Sequence, residues 1–229
     1  GGEVVQHSVV DRRTDRIRIS GRKAEFVGFL KRHRRPRWSE YLKAWLRLTL
    51  PILGARGEWE AIWQFHNVGL PTMTPVAFGE CQTGSFVLTQ SLEPRQKLST
   101  LAMEPDLTAP SRHRLIREVA DLARRMHDAG LHHQDFYLGH LLCHLDQPHE
   151  PVHVLDLGRA RCLRRLGSRW IIKDLAQLNY SSMTLTATDR LRFLTRYLGR
   201  RPGDADQKFL DRVVRKSDAI ARHSRKHQL

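Results

Sequence analysis

The chain has 229 residues, of which 40% are hydrophobic and 28% charged, so it can form one large domain or two small lobes around a core. Lys and Arg number 39 against 24 Asp and Glu, a net charge of +15, which predicts an anionic partner: nucleic acid, a nucleotide, a phosphorylated sugar or an anionic membrane surface. No run of 18 apolar residues is present, so we expect no helix that spans a bilayer.

The start of the chain and its cysteines bear on its compartment. We expect no signal peptide, because no charged start followed by an apolar core and a cleavage site is present. The chain begins at Gly1 without Met, so we expect a few residues to precede it. Cys81, Cys143 and Cys162 are odd in number and far apart, which favours a reducing compartment over a disulfide framework.

The first part of the chain predicts strands followed by two helices. Three strands are expected at residues 4–10, 16–19 and 24–30, and Lys31 closes the third. Residues 38–50 have the spacing of a basic amphipathic helix, which either packs on a core or lies on a membrane surface. Residues 55–67 predict a second helix.

The second helix carries two acidic residues in its first turn, Glu58 and Glu60, where negative charge suits the helix dipole. The spacing of Glu58, Ile62 and Phe65 places Glu58 on the face turned to the sheet. We therefore predict that Glu58, rather than Glu60, is the partner of Lys31.

The rest of the chain is mainly helical in prediction. A hairpin at 76–90 precedes a loop or short helix at 94–110 and a long helix at 112–129 capped by Gly130. Asp174 is expected to open a further helix and, if buried, to brace the loop near Asp135. Helices at 189–200 and 206–221 follow, and residues 222–229 predict a frayed basic tail.

Two segments place carboxylates at the ends of apolar runs. His133-Gln134-Asp135 is followed by His140, and the strand after it ends at Asp156-Leu157-Gly158. This is the order of a kinase catalytic loop and its metal-binding loop. It predicts Asp135 as the base that accepts the proton of an attacking hydroxyl and Asp156 as a magnesium ligand.

With these motifs the sequence resembles the lipopolysaccharide core heptose kinase family, which has a protein-kinase-like fold. The resemblance covers about residues 3 to 200 and is carried by segments 12–14, 29–33, 50–62, 69–72, 133–142 and 173–182. The Pro-x-Leu-Gly-Ala block at 51–55 and His140 are its most specific features.

The resemblance implies an α+β, bilobal protein-kinase-like fold. A small antiparallel N-lobe would span residues 1–92, and a mainly helical C-lobe would span 93–229. It implies an enzyme on the cytoplasmic side, with peripheral contact to the inner face of the inner membrane. The acceptor it implies is a heptose hydroxyl of the anionic lipopolysaccharide inner core, phosphorylated from ATP with Mg2+.

The resemblance also implies roles for individual residues. For the nucleotide, it implies that Lys31 binds the phosphates and that Glu58 positions Lys31. Gln90 and Leu92 would border the adenine. The roles for chemistry and metal are Asp135 as base, His133 and His140 as further catalytic residues, and Asp156 with His140 as metal ligands. Four arginines after the metal loop suit a phosphorylated acceptor: Arg159, Arg161, Arg164 and Arg165.

Three features depart from the protein-kinase pattern. No Gly-rich phosphate loop of the G-x-G-x-x-G kind is present. Gln134 replaces the usual Arg of the His-Arg-Asp triplet, which argues against activation by a phosphorylated loop. His140 stands where a magnesium-binding Asn is usual, and an imidazole is a poorer magnesium ligand than an oxygen.

Other functions stay open at this point. The same fold could serve another acceptor, such as Kdo, another small molecule or a protein. The missing Gly-rich loop would suit an inactive kinase-like scaffold. The charge would suit a nucleic-acid-binding protein, but we expect no nucleic acid because the aromatics lie on apolar helix faces. Six histidines between 132 and 153 raise a structural zinc site as a minor alternative.

Overall fold

The computed structural model describes residues 12–20, 25–34, 54–104 and 106–227. The strands are β1 (Arg12–Ser20), β2 (Glu25–Arg34), β3 (Pro75–Cys81), β4 (Gly84–Gln90), β5 (Gln96–Lys97), β6 (Leu131–His132), β7 (Leu141–Cys143), β8 (His153–Val154) and β9 (Arg161–Cys162). The helices are α1 (Arg56–Asn67), α2 (Leu98–Leu101), α3 (Ala109–Asp128), α4 (Ser168–Ser181), α5 (Ala187–Leu198) and α6 (Gln207–His227).

The first four strands form an antiparallel sheet in the order β1-β2-β4-β3. Thr14 pairs with Lys31 and Arg12 pairs with His33, and β2 in turn pairs with β4, with Lys31 opposite Val87. Since side chains alternate along a strand, Arg12 and Lys31 lie on the same face of the sheet.

The chain beyond β4 is mainly helical. Its two small sheets flank the predicted catalytic segment, residues 133–140, and the predicted metal segment, residues 156–158. One sheet has the order β5-β7-β8 and the other pairs β6 with β9. This architecture confirms the α+β, bilobal protein-kinase-like fold. The lobe boundary after Leu92 falls in the link between β4 and β5 and stays a prediction.

One apolar core joins the sheet side to the helical side. It takes Ile62 and Phe65 from α1, Val87 from β4, Met126 from α3 and Leu157 from the metal segment. A second cluster packs α4 against α6. Because α1 contributes to the common core through one face, Glu58 on that same face is held against the cleft.

Several predicted elements agree with the structure. The strands around residues 16–19 and 24–30, the helix at 55–67, the hairpin and the long helix before Gly130 are all present. Gly130 has φ +76° after the end of α3, as a helix cap requires. The predicted strand at 4–10 and the basic helix at 38–50 lie outside the described residues.

Three local predictions were wrong. Lys31 does not close its strand, since β2 runs on to Arg34. Asp174 does not open a helix, because α4 begins at Ser168 and Asp174 lies in its middle. The predicted frayed tail is helical to His227, continuing a helix that packs on the second cluster through Ile220.

No helix in the described part of the chain combines the length and apolar character needed to cross a bilayer.

Candidate active site

Lys31 contacts Glu58, its predicted partner, and also Asp156, the predicted metal ligand. Its Nζ lies 2.5 Å from Oε1 of Glu58 and 3.1 Å from Oδ1 of Asp156. The Glu58 side chain is 1% exposed and that of Lys31 13%, so water screens this pair little. Glu60, two residues further along α1, is exposed. The structure therefore brings together Lys31, Glu58 and Asp156 as one cluster.

Arg12 joins this cluster and was assigned no role from the sequence. Its Nη2 donates to Oδ1 of Asp156 at 3.0 Å and to Oε2 of Glu58 at 3.4 Å. Burial raises the pKa of Asp156, but the cations of Lys31 and Arg12 outweigh it and hold that pKa well below its usual value. Asp156 is thus a carboxylate at any physiological pH, as a metal ligand must be.

The backbone of Asp156 is left-handed, with φ +55°. Non-glycine residues adopt this region rarely, and such strain clusters at functional sites. The turn that follows, Leu157–Arg159, packs against α1. The metal segment is therefore fixed against the helix that carries Glu58.

His140 lies beside Asp156, with its Nε2 4.0 Å from Oδ2 of Asp156. The ring Nδ1 is 2.7 Å from the carbonyl oxygen of Asp135, and a carbonyl only accepts, so Nδ1 carries the proton. In the neutral ring the lone pair is then on Nε2, facing Asp156.

A magnesium ion would fit between these two side chains. Oδ1 of Asp156 is taken by cations, whereas Oδ2 faces the Nε2 lone pair of His140. Magnesium is usually held by one or two protein ligands together with substrate phosphates and waters. In the described part of the chain no group of three or more His, Cys, Asp or Glu side chains is arranged to hold a metal ion.

Asp174 braces the backbone of the predicted catalytic segment. This residue is fully buried, and its two oxygens accept hydrogen bonds from the backbone N–H groups of His133 and Gln134, both at 2.8 Å. Gln134 has φ +69°, so the two bonds hold a strained backbone in place. Asp174 thus braces this loop, as the sequence predicted for a buried Asp.

His133 is also fully buried, and both ring nitrogens face backbone groups. Nε2 donates to the carbonyl of Leu155 at 2.8 Å, and Nδ1 accepts from the N–H of Asp135 at 3.2 Å. Burial lowers the pKa of His133, which favours this neutral form. The ring does not face the cleft, so its geometry suits holding Asp135 in position.

Asp135 itself is partly open, with its side chain 21% exposed. Nη1 of Arg159 lies 3.2 Å from its Oδ1, which places the first of the four predicted acceptor-binding arginines at the predicted base. Gln134 links the two segments, since its Nε2 donates to the carbonyl of Arg159 at 2.8 Å.

Two further residues brace this loop and were not predicted from the sequence. Gln177 of α4 accepts from the N–H of Phe136 and donates to the carbonyl of Gln134. His127 of α3 contacts Asp174 through Nε2 and Tyr197 of α5 through Nδ1. The helical spacing of Asp174 and Gln177 on one face of α4 was a signal that could have revealed the first of these.

The predicted adenine-bordering residues lie at the end of β4 and in the link that follows it. Gln90 ends that strand, exposed, and its N–H donates to the carbonyl of Thr74. Leu92 is half-buried and packs against the common core. The other histidines of the minor zinc alternative are dispersed: His132 stacks on Trp170 at 4.4 Å, and His153 bonds the carbonyl of Pro151.

Comparison with known proteins identifies similar sequences. The family model described as lipopolysaccharide kinase (Kdo/WaaP) family matches residues 3–197. The chain is 38% identical over 212 residues to the lipopolysaccharide core heptose(I) kinase WaaP of Pseudomonas aeruginosa, covering 86% of this chain and 77% of the relative. The WaaP of Escherichia coli K12 is 36% identical over 212 residues, with 86% and 78% covered.

A more distant relative is the 3-deoxy-D-manno-octulosonic acid kinase of Actinobacillus succinogenes. It is 25% identical over 141 residues, covering 59% of this chain and 56% of the relative. These findings confirm the resemblance drawn from the sequence.

Proposed function

The chain belongs to the lipopolysaccharide kinase (Kdo/WaaP) family, and from this premise we propose that it transfers the γ-phosphate of ATP to a heptose hydroxyl of the lipopolysaccharide inner core. Family membership makes it a kinase with an alcohol group as acceptor. The observation that carries transfer from ATP is the contact of Lys31 with both Glu58 and Asp156, because a kinase uses this arrangement at its nucleotide phosphates. The heptose acceptor is taken from the names of the two similar heptose(I) kinases.

On this proposal Lys31 binds the phosphates and Glu58 holds it in place. Because Glu58 is buried and 2.5 Å from Nζ, the lysine side chain is preorganised and loses little freedom on binding. Gln90 and Leu92 border the adenine. Asp156 and His140 would hold Mg2+, which would neutralise negative charge on the transferring group.

The proposed base is Asp135. It accepts the proton of the attacking heptose hydroxyl, while His133 and Asp174 fix the backbone on which it stands. Its present partner, Arg159, is exposed enough to turn toward a phosphorylated acceptor. Arg159 would then offer its fork of donors to acceptor phosphate and free the Asp135 carboxylate for the hydroxyl.

The acceptor is expected at the basic side of this cleft. The net charge of +15 and the arginines after the metal segment suit the phosphorylated inner core and an anionic membrane surface. We place the reaction on the cytoplasmic side, where ATP is available, with peripheral contact to the inner face of the inner membrane. No nucleic acid is needed in this account.

The experiment supplies purified chain with labelled ATP, Mg2+ and one of two acceptors. One is a deacylated core oligosaccharide that contains heptose, and the other is a Kdo oligosaccharide that lacks heptose. We expect label on the first only, at a heptose hydroxyl. Transfer to the Kdo oligosaccharide alone would move the acceptor to Kdo, the substrate named for the more distant relative, and ATP binding without transfer to either would move it outside the core.

A further inference from the structure

Arg12 completes a closed set of charges with Lys31, Glu58 and Asp156. Oδ1 of Asp156 accepts from both cations, at 3.0 Å from Arg12 Nη2 and 3.1 Å from Lys31 Nζ. Glu58 likewise contacts both, at 3.4 Å and 2.5 Å. Two positive and two negative groups thus neutralise one another at the place where a nucleotide's phosphates are expected.

The two halves of this set differ in exposure. The Lys31 and Glu58 side chains are 13% and 1% exposed, whereas those of Arg12 and Asp156 are 34% and 36% exposed. The inner pair is also the shorter one. Arg12 and Asp156 therefore form the outer half, which faces the cleft and can change partners.

Arg12 has donors to spare. Both of its carboxylate contacts use Nη2, and among the described residues Nη1 and Nε make no hydrogen bond. The guanidinium also lies over the metal segment, since a Cβ built on Gly158 would be 3.5 Å from Nη2 and 3.7 Å from Nη1. An arginine presents five N–H donors in a planar fork that matches phosphate oxygens.

The chain lacks the loop that usually supplies hydrogen-bond donors to nucleotide phosphates. A Gly-rich loop would cradle phosphates with backbone N–H groups, and the chain has no G-x-G-x-x-G pattern. Arg12 stands on the strand beside Lys31, on the same face of the sheet. A side chain there can supply the donors that the backbone does not.

We propose that Arg12 is a second phosphate-binding cation, which leaves Asp156 and binds the triphosphate of ATP beside Lys31. The inference rests on the proposed use of ATP and deepens it. In the nucleotide-free chain Arg12 neutralises Asp156 and so opposes a divalent cation there. When metal and nucleotide bind together, the carboxylate gains the metal and the guanidinium gains the phosphates.

The first test compares ligands that differ in their phosphates. ATP and adenosine affinities are measured by calorimetry for wild type, Arg12→Ala, Arg12→Lys and the control Arg13→Ala. Arg13 is the next residue, 56% exposed, and pairs with Asp15 instead. We expect Arg12→Ala to weaken ATP about 10-fold or more with adenosine unchanged, Arg12→Lys to lose less, and Arg13→Ala to match wild type.

The second test measures metal binding without nucleotide, using Mn2+ as the probe and electron paramagnetic resonance as the readout. Removing Arg12 takes a cation away from Asp156, so Arg12→Ala should bind Mn2+ more tightly than wild type while it binds ATP more weakly. A residue that only supported the fold would weaken both ligands together. The opposite signs are therefore specific to the exchange of partners.

The outcomes separate the inference from the proposed function. Wild-type ATP binding that Arg12→Ala leaves unchanged, or equal losses for ATP and adenosine in a variant that still melts cooperatively, would overturn the role of Arg12 alone. Wild type that binds no ATP would overturn the proposed function as well. Failure to phosphorylate the core would leave the proposed role of Arg12 unaffected, because neither binding test contains an acceptor.

Discussion

Nζ of Lys31 lies 2.5 Å from Oε1 of Glu58, across a gap of 27 positions in the sequence. The carboxylate is almost fully buried. The loss of its charge would leave Lys31 with only the longer contact to Asp156, at 3.1 Å. The pair gives a sharp comparison, because α1 carries a second glutamate, Glu60, that is exposed.

Glu58→Gln should reduce kcat/KM by about 100-fold, which corresponds to the loss of one strong, charge-assisted interaction in the transition state. Glu60→Gln on the same helix should stay within about twofold of wild type. Steady-state phosphate transfer measured for both variants checks this. Equal losses of kcat/KM in the two variants would mean that activity depends on the charge of the helix and not on the pair of Lys31 and Glu58.

Asp174→Asn should lower both stability and turnover. The amide presents an N–H₂ where Asp174 now accepts from the backbone of His133 or Gln134, leaving a buried donor unpaired at a cost of roughly 2 kcal/mol. For a chain of this size that lowers Tm by about 4–8 °C. Calorimetry and kcat measure the two effects, and the exposed Asp218→Asn on α6 is the control. An unchanged kcat in Asp174→Asn would show that the brace is not needed for catalysis.

His132 should make folding sensitive to mild acid. Burial lowers the pKa of His132 from 6.5 to about 4, so the unfolded chain takes up a proton at a pH where the folded chain does not. The stability from its neutral form is complete above about pH 6.5 and is lost as pH falls toward 4.

The measurement is the free energy of unfolding in urea at several pH values between 7 and 4. His132→Phe keeps an aromatic ring on Trp170 and should flatten the fall with pH by up to about 1.4 kcal/mol per pH unit. Other histidines whose pKa is lowered by burial, His33 and His133 among them, retain part of the slope. His149→Phe, at an exposed position, is the control and should have the wild-type dependence of unfolding free energy on pH. If His132→Phe also kept the wild-type dependence, His132 would not be its source.

Gly130 links α3 to the predicted catalytic segment, and its substitution should destabilise the fold. Its φ is +76°, and a Cβ would overlap the carbonyl oxygen of Leu163. We expect Gly130→Ala to destabilise the chain by more than about 1 kcal/mol. Gly167 has φ −76° and no atom near its would-be Cβ, so Gly167→Ala should change stability by less than about 0.5 kcal/mol. Thermal melts compare the two, and similar losses would rule out the steric cause.

The sequence predicts this fold well where local pattern decides the structure. Alternation located the strands around Arg16 and Lys31, and the 3.6-residue period located α1 and α3. The period also separated Glu58 from Glu60, since only one of them shares a face with Ile62 and Phe65. The predicted pair of Lys31 and Glu58 followed from these elements together with the resemblance, whereas the contact of Lys31 with Asp156 was not predicted.

The sequence predicts less where a contact joins distant positions. Arg12 meets Asp156 across 144 positions, and nothing local marks that arginine among its basic neighbours. The strand pairing that sets Arg12 beside Lys31 depends on register, which alternation alone leaves open. Asp174 was placed at a helix start because acids favour first turns, whereas its burial inside α4 reflects the loop that it braces.

The role of Asp135 as the base for the acceptor hydroxyl is tested by measuring phosphate transfer and ATP binding in Asp135→Asn. Asp146→Asn, at an exposed position, is the control. We expect phosphate transfer to heptose-containing core to fall at least about 100-fold in Asp135→Asn, while its ATP affinity stays near that of wild type. Transfer at the wild-type rate in Asp135→Asn would show that Asp135 is not the base.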